Sequence, residues 1–152
     1  MQFQPYLTFD GNAAEAMKFY ERLFGGKIEQ MMTFGDMPPE AAAGMAEACP
    51  GAPQGPMPEE MKKRVLHTAL LFDGGMLMAS DSMPGQPYEG MKNVGIAVSF
   101  PTVERAREVV DALAEGGQVQ MPFGETFWSE AFGAVVDRFG TNWLVNGGKR
   151  KM

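Results

Sequence analysis

Apolar and polar residues along the first half of the chain alternate with two different periods, which predict its strands and helix. Residues 3–9 read as a strand, and from Asn12 apolar residues recur at helical spacing, with Glu15 placed as a capping-box partner. We expect Gly25-Gly26 to end this helix, because glycine adopts the left-handed conformation at little cost. Strands are then predicted over 27–34, 65–72 and 76–81, the last two forming a hairpin around 73–75.

The second half repeats this order of elements. Residues 94–100 read as a strand, Thr102 caps a helix with an apolar face, and Gly116-Gly117 ends it. Further strands are predicted over 118–122, 133–137 and 142–146, with a turn over 137–140 between the last two. Residues in that turn, such as Asp137, are interpreted as structural.

The two halves also match in their letters. GGKIEQMMTFGD at 25–36 corresponds to GGQVQMPFGE at 116–125, which is two residues shorter and so keeps the alternation of strand faces. The repeat predicts an α+β fold of two βαβββ modules, one spanning about 1–81 and the other about 94–146, within a single domain over 1–152. Neither module covers both faces of its own sheet, so we expect the two sheets to meet and enclose a cleft.

Residues 35–64 interrupt the pattern and contain six prolines. The segment around 39–48 is predicted to form a short helix. Its methionines, which are flexible and apolar, indicate a segment that covers an apolar site. The alternative is a partly ordered excursion on the surface. Cys49 lies in this loop, and loop placement alone does not activate a thiol as a nucleophile.

Composition narrows the function classes. The chain of 152 residues carries a net charge of −6 and no basic stripe, which argues against nucleic acid as a partner. No apolar run approaches the roughly 18 residues of a membrane span, and the N-terminal residues do not resemble a signal peptide. A single cysteine cannot form an internal disulfide, so we expect a cytoplasmic protein. The acidic balance is compatible with a cationic ligand.

The letters resemble a known family. PYLTFDGNAAEAMKFYERLFGG near the start, LHTALLFDGGMLMASDSMPG in the middle, and ETFWSEAFGAVVDRFG followed by NWLVN near the end resemble the PhnB-like branch of the glyoxalase/bleomycin-resistance/dioxygenase (vicinal oxygen chelate, VOC) superfamily. The resemblance implies eight strands in two βαβββ modules that form a cupped pair of half-barrels, each with a cavity, and a homodimer. Some members of this branch are called 3-demethylubiquinone methyltransferases. A typical methyltransferase holds S-adenosylmethionine through a glycine-rich turn after its first strand, and this chain has no such turn.

Enzymes of the superfamily hold one divalent metal through four positions, mostly His, Glu and Gln. The resemblance places these positions at Pro5, near Ala79, and at Gly95 and Leu144, and none of these residues ligates a metal through its side chain. The dioxygenase and fosfomycin-transferase patterns need two histidines and a glutamate, whereas this chain has only His67. We therefore expect no metal and no cofactor, with a non-standard or intersubunit site as the exception.

Several side chains are candidates for the site, each with a structural alternative. His67, in mid-strand, is either a general base or a core histidine. Glu125 is either an acid–base group whose pKa is raised by its aromatic neighbours or an ordinary surface carboxylate. Asp81 either faces the cavity mouth or caps the turn that follows. Three aromatic residues either line an apolar pocket or belong to the core: Trp128, Phe132 and Trp143.

Three functions remain open. The first is a metal-free protein that binds a small molecule in the half-barrel cavity. The second is a glyoxalase- or dioxygenase-like enzyme acting through His67 and Glu125 or through an unusual metal site. The third is a structural or regulatory dimer. We favour the first function and keep the enzyme as the alternative; the sequence does not decide whether the protein is an enzyme, nor which ligand it takes.

Overall fold

The computed structural model describes residues 1–52, 55–83 and 86–151. The chain divides into two compact units, residues 1–90 and 91–152. Residues 53–54 of the predicted loop and residues 84–85 of the turn predicted after Asp81 lie outside the described residues. That the two units form a single domain stays a prediction.

The first unit is a βαβββ module with an excursion after its second strand. Its sheet has the order β1-β4-β3-β2, with β1 parallel to β4 and the other neighbours antiparallel. The elements are β1 Tyr6–Phe9, α1 Ala13–Phe24, β2 Lys27–Thr33, α2 Pro39–Ala48, α3 Glu59–Lys62, β3 Val65–Phe72 and β4 Gly75–Asp81, with a 3-10 turn at Phe34–Asp36.

The second unit repeats the same topology without the excursion. Its sheet has the order β5-β8-β7-β6, and β5 is again parallel to β8. The elements are β5 Ile96–Phe100, α4 Val103–Ala114, β6 Gln118–Gly124, β7 Ser129–Val136 and β8 Asn142–Arg150. The predicted pair of βαβββ modules is therefore confirmed.

Each helix covers one face of its own sheet. α1 contacts β2, β3 and β4, and it buries the apolar stripe that its sequence predicts. α4 contacts all four strands of the second sheet and does the same. Buried residues of the helices are Ala13, Ala16, Met17 and Tyr20 in α1, and Ala106, Val109, Val110 and Leu113 in α4.

The helix caps differ in how far local sequence predicts them. The hydroxyl of Thr102 accepts a hydrogen bond from the Arg105 amide, as expected for an N-cap. Asn12 is the N-cap of α1, but its side chain makes no capping hydrogen bond, so the predicted capping box with Glu15 is wrong. The Asp81 carboxylate lies there instead, because β4 runs parallel to β1 and ends where α1 begins; an ionised acceptor is stronger than an amide at a helix N-terminus.

The repeated glycine pairs have a common physical cause. Gly25 and Gly116 adopt φ of 75° and 72°, the left-handed region in which a side chain is strained. The second glycine of each pair passes close to the neighbouring strand. A β-carbon at Gly26 would lie 2.6 Å from the Leu71 carbonyl oxygen, and one at Gly117 would lie 2.3 Å from that of Val136.

The repeated Phe-Gly-acid letters form two different structures. In the first module the strand ends at Thr33, one residue earlier than predicted, and Asp36 accepts a hydrogen bond from the Thr33 amide at 2.8 Å. This turn leads into the excursion. In the second module Phe123-Gly124 continues β6, which runs on to pair with β7.

The excursion contains the helix that the sequence predicts over 39–48, observed as α2 Pro39–Ala48. α2 has no buried residue, unlike α1 and α4. Among the described residues, no helix has both the length and the apolar character needed to cross a membrane.

Candidate functional site

Each sheet has one face against its helix and one face without a helix, which we call the helix-free face. In β1, Leu7 and Phe9 are buried while Tyr6 is exposed, so alternate residues point away from α1. Cross-strand register extends this assignment, because residues directly opposite each other share a face. The helix-free face of the first sheet therefore carries, among others, Tyr6, Thr8, Met32, His67, Ala69, Met78 and Ser80.

Tyr6 and His67 form a pair on this face. The Tyr6 hydroxyl lies 3.3 Å from His67 Nδ1, and the two rings stack with centroids 5.8 Å apart and an interplanar angle of 28°. His67 is half-buried and Tyr6 is 48% exposed. Within the described part of the chain, His67 Nε2 has no hydrogen-bond partner, so this nitrogen is available to a ligand.

The Tyr6–His67 hydrogen bond is compatible with both neutral tautomers of the histidine ring. If Nδ1 accepts from the phenol, Nε2 carries the hydrogen and donates; in the other tautomer, Nδ1 donates and Nε2 accepts. Sequence reasoning had identified His67 but missed Tyr6. The signal for Tyr6 was the alternation in β1, which places it opposite in direction to Leu7 and Phe9.

Asp81 accepts hydrogen bonds from three backbone amides in two other segments of the chain. Its Oδ1 accepts from the Gly11 and Ala13 amides at 2.8 and 3.0 Å, and its Oδ2 accepts from the Val65 amide at 2.8 Å. The side chain is only 4% exposed. Asp81 thereby joins the end of β4, the start of α1 and the start of β3, and its carboxylate oxygens point at protein donors.

Glu125 is exposed and forms an ion pair with Lys151. The hydrogen bond from the Lys151 ammonium, together with its charge, lowers the pKa of Glu125 below its ordinary value. Of the two alternatives for Glu125, a raised pKa is contradicted, and the residue is a surface carboxylate. Its aromatic neighbours do not bury the carboxylate, and the lysine stabilises the ionised form.

Of the three candidate pocket aromatics, Trp128 and Phe132 are in contact, whereas Trp143 lies on the other face of the sheet. Trp128 stacks edge-on against Phe132, with centroids 5.6 Å apart, and against Phe127 at 4.7 Å. Trp143 is 1% exposed on the helix side of the second sheet, where its indole N–H donates to Asp137 Oδ2 at 2.8 Å. Phe132 lies on the opposite face, because it is three residues from Val135, the cross-strand partner of Trp143.

Asp137 organises the turn before β8, as expected. Its Oδ1 accepts from the Phe139 and Thr141 amides at 2.9 and 3.0 Å. Cys49 directly follows α2 and is half-buried.

The side chains on the helix-free faces show whether this chain could bind the divalent metal that the superfamily's enzymes hold. Ala79 is fully buried on the helix side, so its neighbours Met78 and Ser80 lie on the helix-free face. Pro5 lies just before β1, where its carbonyl accepts from the Met78 amide at 3.0 Å. The adjacent pairs of the parallel strands on the helix-free faces are Tyr6–Met78, Thr8–Ser80, Ala97–Leu144 and Ser99–Asn146.

None of these pairs includes a histidine, carboxylate or thiolate. Over the described ranges, no group of three or more His, Cys, Asp or Glu side chains is placed to hold a metal ion. Neutral hydroxyl and amide oxygens are weak donors for a divalent transition metal. The residues present therefore do not fit the metal centre of the superfamily's enzymes.

Comparison with known proteins agrees with this fold. The family model of the Glyoxalase/Bleomycin resistance protein/Dioxygenase superfamily matches residues 2–145. The chain belongs to this superfamily. Protein YjdN of Escherichia coli strain K12 is 34% identical over 148 residues, which cover 96% of this chain and 95% of that protein.

Solved structures of the superfamily fold are also similar. Protein PA1353 from Pseudomonas aeruginosa is 39% identical, with a TM-score of 0.81 over 97% of this chain and 98% of that chain. The PhnB protein from Bacillus cereus is 24% identical, with a TM-score of 0.71 over 96% and 98% of the two chains. At this identity the PhnB protein shows a shared fold, and the family model confirms the resemblance to the superfamily; membership of the PhnB-like branch stays a prediction.

Proposed function

We propose that this superfamily member binds a small molecule on the helix-free face of its first sheet, without the metal that the superfamily's enzymes use. The observation that carries the proposal is the Tyr6–His67 pair. It presents an unpaired ring nitrogen and a half-exposed phenol on a face where the other side chains are mainly apolar or neutral.

The surroundings of this pair indicate the kind of ligand. Met32 lies opposite His67 and Met78 lies opposite Tyr6, and methionine adapts its shape to apolar or aromatic groups. Thr8 and Ser80 add neutral hydroxyls on the same face. A small, partly aromatic molecule with one or two hydrogen-bonding groups fits these side chains, and the net charge of −6 favours a cation over an anion.

A thermal-shift screen of small molecules, run with and without a chelator, tests the proposal. A ligand that binds the folded protein raises its apparent stability. We expect at least one partly aromatic compound to do so equally in both conditions. If the chelator abolishes the stabilisation, the ligand binds through a metal, and the proposal of metal-free binding is contradicted.

Matched variants then locate the ligand. Loss of one hydrogen bond to the ligand costs about 0.5–1.5 kcal/mol, so Tyr6→Phe is expected to weaken binding by roughly two- to tenfold. His67→Ala removes the partner ring as well and is expected to weaken binding further. Tyr20→Phe makes the same change on α1, on the other side of the sheet, and is expected to leave the affinity unchanged. An affinity unchanged in both His67→Ala and Tyr6→Phe would refute this site.

A second candidate function, acid–base catalysis through His67, rests on the same hydrogen bond. Tyr6 orients the ring and leaves Nε2 free to move a proton to or from a bound substrate. Glu125 belongs to the other unit, and its lowered pKa means that it is not an acid near neutral pH, so this candidate function rests on His67 alone. Product analysis of each screened ligand distinguishes catalysis from binding. Turnover by the wild type that His67→Ala abolishes while binding persists would establish the enzyme.

A further inference from the structure

An open cavity, lined mainly by the excursion, shares no lining residue with the Tyr6–His67 face. Its volume is about 480 Å³, and it lies beneath one side of α2. This size falls within the range of small-molecule sites, about 300–1,000 Å³. The lining residues on which the argument depends are Ala42, Met45, Glu47, Met57, Met61 and Met83.

α2 packs over this cavity instead of over a core. None of its ten residues is buried, and Ala42, Met45 and Ala46, on its cavity side, are only half-buried. An isolated helix shorter than about 12 residues is marginal in water, and helices are normally held by packing of their apolar face. An apolar ligand in the cavity would add contacts on the side of α2 where Ala42, Met45 and Ala46 are only half-buried.

The walls favour an apolar group of variable shape. Four methionines contribute to the lining, and Met61 is 5% exposed. Methionine side chains are flexible and polarizable, and they recur on surfaces that accept varied hydrophobic ligands. Around an apolar group they can repack with little strain.

The charge of the lining residues favours a positively charged ligand. Among the described residues that line the cavity, Glu47 is the one with a charged side chain, and it is exposed at the cavity's rim. A cationic head group near this carboxylate stays partly hydrated while the apolar body enters the methionine-lined space. We propose that this cavity binds an amphipathic organic cation, with an aliphatic or aromatic body and one amine or quaternary ammonium group.

Three probes of equal chain length separate the apolar and the charged contributions: decylamine, decanol and decanoate, each titrated by calorimetry. We expect decylamine to bind most tightly and decanoate least. Glu47→Gln is expected to reduce the preference for decylamine over decanol by up to about fivefold, the effect of an exposed ion pair. Decanol binding as tightly as decylamine to the wild type, or no binding of any probe, would overturn the proposal.

Two neighbouring alanines provide a matched test of location. Ala42→Phe places a ring in the cavity and is expected to weaken decylamine binding at least tenfold. Ala41→Phe puts the same ring on an exposed position that does not line the cavity, and it should leave binding unchanged. Equal affinities in the two variants would refute the site. His67→Ala should also leave decylamine binding intact, and loss of binding there would place the probe on the Tyr6–His67 face instead.

A measurement on the unmodified protein covers the case in which Ala42→Phe fails to fold. With methionine methyl groups labelled with carbon-13, decylamine should shift the resonances of Met45, Met57, Met61 and Met83. The methyl groups of Met1 and Met121, which do not line the cavity, serve as references. Shifts confined to residues outside the cavity would contradict the proposal.

Discussion

Replacement of Asp81 by asparagine tests whether one buried carboxylate joins three segments of the first module. The variant keeps the size of the side chain and removes its charge. One oxygen of the amide can still accept from Gly11 and Ala13, but its NH2 group then faces the Val65 amide, and two donors cannot bond.

The expected cost follows from those three hydrogen bonds. Loss of the bond to Val65 costs about 1.5–3 kcal/mol, because hydrogen bonds to charged groups are the stronger ones. The remaining two bonds become neutral, and the negative charge at the N-terminus of α1 is lost, which costs about 0.3–1 kcal/mol more. We expect a total near 3 kcal/mol, which lowers the melting temperature of a chain of this size by roughly 6–12 °C.

Urea unfolding followed by circular dichroism measures this cost. Asp73→Asn, the same change in the exposed turn between β3 and β4, is the control, and it should stay within about 0.5 kcal/mol of the wild type. Hydrogen exchange gives a local reading, since the Val65 amide should lose protection in Asp81→Asn. Equal unfolding free energies in the two variants would refute the role assigned to Asp81.

Three further predictions concern other polar groups of the fold. Asp137→Asn should destabilise the protein by about 2–4 kcal/mol and alter Trp143 fluorescence, because two amides and the indole N–H lose a charged acceptor; an unchanged emission spectrum and stability would contradict this. Burial and two nearby aspartates raise the pKa of Tyr88, so its contribution to stability is fully present below pH 10 and is lost as pH rises through the raised pKa; an ultraviolet titration with an ordinary midpoint would refute it. The ionised Glu125 contributes to the stability of the fold at pH values above its ordinary pKa, and this contribution is lost as pH falls through the lowered pKa. The variant Lys151→Met should restore an ordinary titration of the Glu125 carboxyl, measured by nuclear magnetic resonance; a titration that stays shifted would contradict this cause.

The topology could be predicted from the sequence because its signals are local and occur twice. Helical spacing, glycine pairs and turn residues each act within about ten residues, and the second module repeats the order of the first. The glycine pairs were informative because each one combines a left-handed position with a close backbone approach, which only glycine satisfies.

Strand ends were predicted less well where glycine has another role. The last strand was expected to stop at residue 146, before Gly147-Gly148, but β8 continues to Arg150. A β-carbon at Gly147 would lie 2.7 Å from that of Ala106, so this glycine allows α4 to approach the sheet and does not end the strand. The longer strand carries the chain toward Lys151, the partner that lowers the pKa of Glu125.

The candidate site could be predicted only in part, because its contacts are between distant residues. Tyr6 and His67 are separated by 61 positions, and the register that joins β1 to β3 through β4 decides that they meet. Asp81 bonds to residues up to 70 positions away, so local sequence patterns could not predict that it caps α1. Periodicity identifies the face of a residue, but it does not identify that residue's neighbours on other strands.

We propose that this member of the superfamily binds its ligand without a metal. Elemental analysis by mass spectrometry, on protein purified without chelator and then exposed to Mn²⁺, Ni²⁺ and Zn²⁺ before desalting, tests it most directly. We predict far less than one equivalent of any of these metals per chain, because the helix-free strand pairs offer only neutral oxygens and thioethers. One equivalent retained per chain in the wild type, and lost in His67→Ala, would contradict it.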